Sequence, residues 1–470
     1  MTSPFAEANG WVPDLRPIRH VHIVGIGGAA MSGLGHILLT DGHRVTGSDL
    51  SEGPELAQLR AAGATVWSGH DAAHIAGAGL VAISTAVRQS NPEVVAAIAN
   101  AVPLAGRPAM MEAISSRKRT VAISGTHGKT TTSAMATVAL DAAGFAPSFL
   151  VGARLPQLGR GVRWVPGPWF VAEADESDSS FLRFRAEAAI VTNLEEDHLD
   201  FHETMENLEA AFDTFLDQAA TARVVCADDA GARRLAARHA GSVTYGTADD
   251  ADYRIANYER LGLGARFDVE APGGERFEVR LQTGGIHNAR NATAVLAMGA
   301  ALGAEERLVL DGLAGFRGVE RRFEFRGVAN GVTFVDDYAH LPAKVAATLQ
   351  AARAAAEDAG WKRIVVVFQP HRFTRVRSLG KDFADSFVCA DLVVVTPIYA
   401  AGQDPIPGVT SRVVSDAIRA RHPESNVVDA DDREGLIGYL MAELLPGDLC
   451  LTLNAGDLTA LPDELLARLR

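Results

Sequence analysis

The residues with the clearest chemical potential lie between Thr120 and Thr132, in the run Thr-Val-Ala-Ile-Ser-Gly-Thr-His-Gly-Lys-Thr-Thr-Thr. Glycines at 125 and 128 let the backbone curl its N–H groups around a phosphate, and a helix starting just after them adds partial positive charge. Lys129 is then placed to reach the β- and γ-phosphates of a nucleotide, and the Thr130 hydroxyl to hold Mg²⁺. Two elements must position this loop. The β-branched residues Thr120, Val121 and Ile123 predict a buried strand before it, and the alanine-rich stretch 133–143 predicts a helix after it. Strand, glycine loop, Lys-Thr and helix make the layout of a P-loop. It reads as an ATP site built from Gly125, Thr126, His127, Gly128, Lys129, Thr130 and Thr131. The usual spacing asks for a glycine five residues before Gly128, where Ile123 stands, so the loop is shorter than the common pattern.

Two further runs turn acidic where an apolar strand ends. Trp169-Phe-Val-Ala-Glu-Ala-Asp-Glu-Ser-Asp178 is one, and Ala188-Ala-Ile-Val-Thr-Asn193 followed by Leu-Glu-Glu-Asp-His-Leu-Asp200 is the other. Carboxylates at strand ends beside a phosphate loop suggest Mg²⁺ ligation, although any single one also fits a solvated loop. His198, set between carboxylates, reads as a ligand even though Mg²⁺ prefers oxygen.

A second glycine turn stands near the N-terminus. His20-Val-His-Ile-Val-Gly-Ile-Gly-Gly-Ala-Ala-Met-Ser-Gly33 predicts a strand, a turn and a helix start, and Gly25-x-Gly27-x-x-Ala30 matches the dinucleotide fingerprint in its alanine-ended form. A second strand, Arg44 to Asp49, ends in a carboxylate able to take a ribose or sugar hydroxyl. A third, Val81-Ala-Ile-Ser84-Thr85-Ala86, ends in small hydroxyl residues where an open parallel sheet places its ligand. A nicotinamide cofactor, a bare tight turn and another diphosphate ligand all fit these residues.

The chain has 470 residues, 47% of them apolar and 22% charged, with a net charge of −14. That length predicts about three domains. The acidic balance argues against nucleic-acid partners, so any anionic substrate must be met by local arginines or helix ends. Cys226, Cys389 and Cys450 are far apart in apolar runs and read as core residues. No signal peptide and no apolar run of about 18 residues is evident, which predicts a cytoplasmic protein without a membrane segment.

Residues 1–19 read as a loose lead-in, and short βα units follow to a hinge at Arg117-Lys-Arg119. The stretch 243–283 predicts several strands with a hairpin at Pro272-Gly-Gly274. Gly284-Gly-Ile-His-Asn-Ala-Arg-Asn291 opens a helix whose first turn carries His287, Asn288 and Asn291. A boundary is expected at 315–318. Beyond it come a hairpin around Asn330-Gly331, the run Asp336-Asp-Tyr-Ala-His340, and a helix led by Pro342. His371-Arg372 and Arg375 stand at the exit of the apolar run 363–370, and a last strand, 448–453, leads to Asn454-Ala-Gly-Asp457.

The ordered set of these motifs resembles the Mur ligases of peptidoglycan synthesis over nearly the whole chain, from Val21 to Asp457. Besides the runs above, the resemblance rests on Arg321-Arg-Phe-Glu324, Phe368-Gln-Pro-His-Arg372, Tyr399-Ala-Ala-Gly402 and Pro405-Ile-Pro-Gly408. The last two are particularly like the alanine-adding branch. The resemblance implies an α/β protein of three domains. Residues 1–116 form a Rossmann-like domain for the UDP-sugar, and 117–318 a P-loop ATPase-type domain with a parallel sheet plus a smaller β-sheet. Residues 319–470 form a Rossmann-like C-terminal domain.

It implies ATP and Mg²⁺ as cofactors and UDP-N-acetylmuramate and L-alanine as substrates, joined through an acyl phosphate by a monomer or homodimer. A ligase adding a whole murein peptide to the same sugar is the near alternative, and an NAD-dependent oxidoreductase the distant one.

On matching positions, Lys129 stabilises the γ-phosphoryl group, Thr130 and Glu173 hold one Mg²⁺, and His198 serves a second. Asn288 and Asn291 line the adenine side with His287, and Arg322 contacts phosphate. Asp337 and Tyr338 face nucleotide or amino acid, and His340, His371 and Arg372 lie near the incoming alanine. The glycine turn (Gly25, Gly27, Gly28, Ser32), Asp49 and Ser84-Thr85-Ala86 seat the UDP-sugar. Three positions depart from the family pattern: Leu341 replaces a histidine, Lys344 a glutamate and Asn454 a glycine.

Overall fold

The structure is a computed structural model that describes residues 11–50, 52–196 and 199–469. The chain divides into two compact units, Met1–Glu259 with Arg266–Gln282 and Ile286–Arg317, and Gly318–Arg470 with Arg260–Ala265 and Thr283–Gly285.

The first unit carries two sheets. Strands β1 (His20–Val24), β2 (Arg44–Asp49), β3 (Thr65–Ser68), β4 (Leu80–Ile83) and β5 (Leu104–Gly106) form a five-stranded sheet in the order β3-β2-β1-β4-β5. Every pair in it is parallel. Strand β1 is buried at all five positions, as expected of a parallel strand covered on both faces. The order reverses between β1 and β4, which makes the carboxyl edge of these two strands the crevice of the sheet.

The second sheet has ten strands. Its centre is β6 (Arg119–Ser124), flanked by β9 (Trp169–Glu173) and β10 (Ala186–Val191), and it continues through β11 (Ala222–Cys226) and β12 (Val243–Gly246). Antiparallel β7 (Ser148–Leu155) and β8 (Arg160–Arg163) close one side. The strands expected as a smaller sheet, β13 (Tyr253–Leu261), β14 (Gly264–Glu270) and β15 (Arg276–Leu281), are instead the far end of this same sheet, with Gly273 and Gly274 at positive φ in the β14–β15 turn. It is joined to β12 through only two residue pairs, Tyr245 with Tyr253 and Gly246 with Arg254, so hydrogen bonding runs on across both parts.

The second unit is a six-stranded sheet in the order β16-β17-β21-β18-β19-β20. Its strands are β16 (Glu324–Ala329), β17 (Val332–Asp337), β18 (Arg363–Phe368), β19 (Leu392–Val395), β20 (Val427–Asp429) and β21 (Asp448–Leu453). Asn330 and Gly331 turn the β16–β17 hairpin with φ of 48° and 76°, the conformation that Asn-Gly supplies at least cost. Period-two alternation splits β18 cleanly. Ile364, Val366 and Phe368 join one core with Val345, Leu349 and Ala352 of the helix Pro342–Ala359, while Val365 and Val367 join the other core with Leu436 and Leu440. That helix starts on Pro342, whose ring fixes φ where no N–H partner is needed, and stops at Gly360 with φ 72°.

Candidate functional site

Parallel register brings the chemistry of the first unit to one edge. Ile123 pairs with Glu173 and Ser124 with Val191, so the loop after β6 opens between the ends of β9 and β10. Gly125 adopts φ 137°, and a Cβ there would lie 2.1 Å from Thr192 Oγ1. Only glycine fits. Asn193 grips the loop from the β10 side, its Oδ1 accepting the His127 N–H at 2.8 Å and its Nδ2 donating to the His127 carbonyl at 3.1 Å. Thr126 is buried and accepts the Glu195 N–H at 3.0 Å. Gly128, at φ 84°, is the N-cap of helix α1 (Lys129–Ala142), so the helix begins on Lys129 itself. A Cβ at Gly128 would meet Asn291 Oδ1 at 3.2 Å, which puts this buried asparagine against the loop.

Lys129 Nζ donates to Glu176 Oε1 and to the Gly125 carbonyl, both at 2.7 Å. Burial pushes the Glu176 carboxyl up, against the pull of Lys129. The neighbouring Thr130 hydroxyl donates to Glu173 Oε1 at 2.9 Å, and Glu173 Oε2 accepts the Gly152 N–H at 3.0 Å. An ammonium, a hydroxyl and a carboxylate thus converge at the start of one helix. Oxygen donors of this kind suit a magnesium ion. Asn288 lies half-buried and His287 exposed within the helix Ile286–Ala301. His127 and Thr131 keep exposed or partly exposed side chains. His198 lies outside the described residues, as does most of the lead-in at 1–10.

The glycine turn after β1 is held by the end of β2. The Ser48 carbonyl accepts from Gly25 N at 2.8 Å and Ile26 N at 3.1 Å. Asp49 Oδ2 accepts the Gly27 N–H at 2.9 Å, so the carboxylate read as a sugar ligand also fastens the turn. Gly25 has φ 77° and packs on Ser84 at the end of β4. Gly28 is exposed, Thr85 and Ala86 are exposed beside it across the crevice, and Ser32 is buried with its hydroxyl donating to the Ala29 carbonyl at 3.1 Å.

Beneath this turn lies a cluster that the sequence reading missed. Glu93 is fully buried. Its carboxylate accepts from Ser48 Oγ at 2.5 Å and meets His74 Nδ1 at 2.7 Å, His70 Nδ1 at 3.1 Å and His22 Nε2 at 3.7 Å. Burial raises its pKa, but hydrogen bonds from His22, Ser48 and His74 outweigh that and hold it at about 2. Each histidine is an isolated residue in the sequence. Only the excess of histidine between 20 and 74 hinted at them.

The second unit gathers the other predicted residues at the carboxyl ends of β17, β18 and β21. Asp337 is buried and accepts from Phe323 N and Ala339 N, each at 2.8 Å. The Arg321 and Arg322 guanidinium groups lie over the Tyr338 ring, at 4.8 and 5.3 Å from its centroid. His340 Nδ1 donates to the Tyr338 carbonyl at 2.7 Å, which leaves Nε2 as an acceptor. The His371 ring lies 5.5 Å from that of His340, stacks on Tyr399, and meets Arg375 Nη1 at 2.9 Å through Nδ1. Burial, and then the cations Arg375 and Arg372, hold the His371 imidazole at about 4. Burial does the same for His340, aided by Arg375. Arg372 itself is exposed, in a left-handed backbone with φ 66° at the start of helix α2 (Phe373–Leu379).

A glycine loop leading into a helix on one sheet, and a parallel sheet with its own glycine turn, define an α/β protein of the kind whose loops seat phosphates. The chain belongs to the Mur ligase family. Three family models match it: the Mur ligase family catalytic domain over residues 20–119, the Mur ligase middle domain over 123–299, and the Mur ligase glutamate ligase domain over 321–456. The chain is 41% identical to the UDP-N-acetylmuramate–L-alanine ligase of Thermobifida fusca, covering 97% of this chain and 98% of that one. It is 43% identical to the enzyme of that name from Anaeromyxobacter sp., covering 97% and 98%. Among solved structures, the UDP-N-acetylmuramate-alanine ligase of Thermotoga maritima superposes with a TM-score of 0.82 at 29% identity, covering 96% and 99%.

Proposed function

We propose that this chain is an ATP-dependent ligase that joins L-alanine to the lactyl carboxylate of UDP-N-acetylmuramate in cytoplasmic peptidoglycan precursor synthesis. The convergence of Lys129, Thr130 and Glu173 at one helix start, in a chain alike over its full length to ligases of that name, carries the reading. A carboxylate is inert toward an amine at neutral pH. Attack of its oxygen on the γ-phosphorus, with ADP leaving, converts that oxygen into part of a phosphate leaving group. The amine nitrogen then bonds the acyl carbon, phosphate departs, and the amine gives up a proton.

The residues supply position and charge. Lys129 exchanges Glu176 for the γ-phosphoryl oxygens, where negative charge builds. Thr130 and Glu173 would hold one magnesium ion and His198 would serve a second, and the bound metal would supply positive charge against the phosphate oxygens. Asn288 and Asn291 line the adenine side with His287, the turn 25–28 with Ser32, Asp49 and Ser84–Ala86 seats the UDP-sugar, and Arg322 contacts phosphate with Asp337 beside it. His340 Nε2 accepts the proton of the incoming amine. His371, Tyr338 and Arg372 shape the acceptor site.

The test is phosphate release from ATP and Mg²⁺ with UDP-N-acetylmuramate, adding L-alanine, glycine, L-serine or a stem tripeptide separately. Release that requires both the sugar and L-alanine is expected. Release with the tripeptide alone makes the chain a peptide-adding ligase, and no release with any acceptor overturns the proposal.

A further inference from the structure

Glu176 meets the lysine of the phosphate loop from inside the protein. It is 1% exposed, and its Oε1 accepts from Lys129 Nζ at 2.7 Å. The loop's own carbonyls also accept from that ammonium, Gly125 at 2.7 Å and Thr126 at 3.5 Å. An ammonium has three protons, and these three acceptors already claim them. A phosphate oxygen that binds Lys129 must therefore take a proton from one of them. The two carbonyls belong to the loop that cradles the phosphate, so the exchangeable partner is the carboxylate.

The backbone that carries Glu176 is held on several sides. Its carbonyl accepts from Nε2 of buried His202 at 2.8 Å and from Ser179 N at 3.2 Å. The Asp175 carbonyl, just before it, accepts from Phe181 N at 3.1 Å and Ser180 Oγ at 3.2 Å. Further along the same turn, Asp178 accepts from Arg107 Nη2 at 2.5 Å and from Ser180 N at 3.1 Å. The main chain thus keeps the carboxylate aimed at Lys129, and only side-chain torsions can carry it away. An anion arriving at Lys129 also meets the negative charge of Glu176 at close range, in a place where burial weakens screening.

We infer that Glu176 is an internal competitor for the phosphate seat: its carboxylate takes at Lys129 the place of a phosphate oxygen, and so holds the loop's affinity for nucleotides with β- and γ-phosphates below what Lys129 alone would give. The inference rests on the reading of this loop as an ATP site. A glutamate that merely steadied Lys129 for the phosphate would have the opposite effect. Removing its charge would then weaken nucleotide binding, whereas removing a competitor strengthens it.

The experiment uses the full chain and the variants Glu176→Gln, Glu176→Asp, Lys129→Met and Glu176→Gln/Lys129→Met, with affinities for ATP and AMP measured by calorimetry. Glutamine keeps the shape and withdraws the charge, while aspartate keeps the charge and is too short for the contact. The expected result for Glu176→Gln is a fall of about fivefold in the Kd of ATP, the margin between a charge-assisted and a neutral hydrogen bond, and a fall in Glu176→Asp as well. AMP lacks the β- and γ-phosphates, and its affinity is expected to stay unchanged. Beside Lys129→Met, the glutamine is expected to alter ATP affinity by less than about twofold, because the competition is for that ammonium. An unchanged or weakened ATP affinity in Glu176→Gln overturns the inference, and so does an equal gain for AMP or a gain that survives the loss of Lys129. Glu176→Asp decides the sign if Glu176→Gln does not fold. A wild-type chain that binds no ATP overturns the ligase reading and this inference together. One that binds ATP without turnover dependent on UDP-N-acetylmuramate counts against the ligase reading alone.

Discussion

Glu93 offers the sharpest test of how the glycine turn is supported. A carboxyl held at about 2 against an ordinary 4.5 corresponds to roughly 3 kcal/mol of folding free energy at neutral pH. Because the folded-state pKa lies below the unfolded one, this contribution is complete above about 4.5 and drains away as pH falls toward 2. Glu93→Gln keeps the shape but removes the charge, and its amide nitrogen turns a donor toward Ser48, His70 or His74 where an acceptor is needed. The expected loss is roughly 3 kcal/mol at pH 7, which lowers a urea midpoint by about 1–2 M. Trp67 stacks on His74 with ring centroids 4.3 Å apart, so tryptophan fluorescence reports on this region directly. The gap between the two proteins narrows from pH 5 to pH 3, since the glutamine does not titrate. An unchanged midpoint at pH 7, or a gap as wide at pH 3 as at pH 7, refutes the reasoning.

Lys129→Ala is expected to lower turnover by about a hundredfold or more in a protein that still folds, because the charge it supplies acts on the phosphoryl group, with some loss of melting temperature from removing the cation beside buried Glu176; a fully active variant contradicts the loop assignment. Gly125→Ala forces a Cβ to 2.1 Å from Thr192 Oγ1 at φ 137°, and urea titration should show a loss of about 3 kcal/mol. The His340 and His371 imidazoles, held at about 4, are neutral from pH 5 upward. The acid limb of the pH–rate profile is therefore expected near 4, and a limb near 6.5 that disappears in His340→Gln would show that the burial argument fails.

The two glycine turns were legible because their chemistry is local. Strand, loop and helix follow one another within some twenty residues, and glycine at a positive φ announces itself by type. Period-two and apolar runs likewise gave β6, β18 and β21, and Asn330-Gly331 gave its hairpin. What the sequence hid depends on register. Glu173 was visible as an acidic strand end, yet its partner Thr130 is 43 residues away and meets it only because β9 lies beside β6. Glu176 lay in plain sight in the same run, and the need of Lys129 for a counter-charge was the signal that could have singled it out. The Glu93 cluster draws on residues 22, 48, 70 and 74 from separate elements, each of which reads alone as an ordinary core residue. The join between β12 and β13 rests on two residue pairs, too few to leave a pattern.

An acidic chain that handles anionic substrates must concentrate its positive charge, and the two units do so differently. In the first, the one lysine of the loop is met at 2.7 Å by a buried glutamate, so its charge is screened by that carboxylate. In the second, burial and neighbouring guanidinium groups keep His340 and His371 neutral and also lower the pKa of Arg375, which burial dominates and Arg372 reinforces. Arginine tolerates that without losing its proton at any ordinary pH, whereas histidine does not. The division of labour follows from this. The guanidinium groups keep their fixed charge, while the imidazoles stay neutral, His340 with Nε2 left as an acceptor and His371 with Nδ1 taken by Arg375.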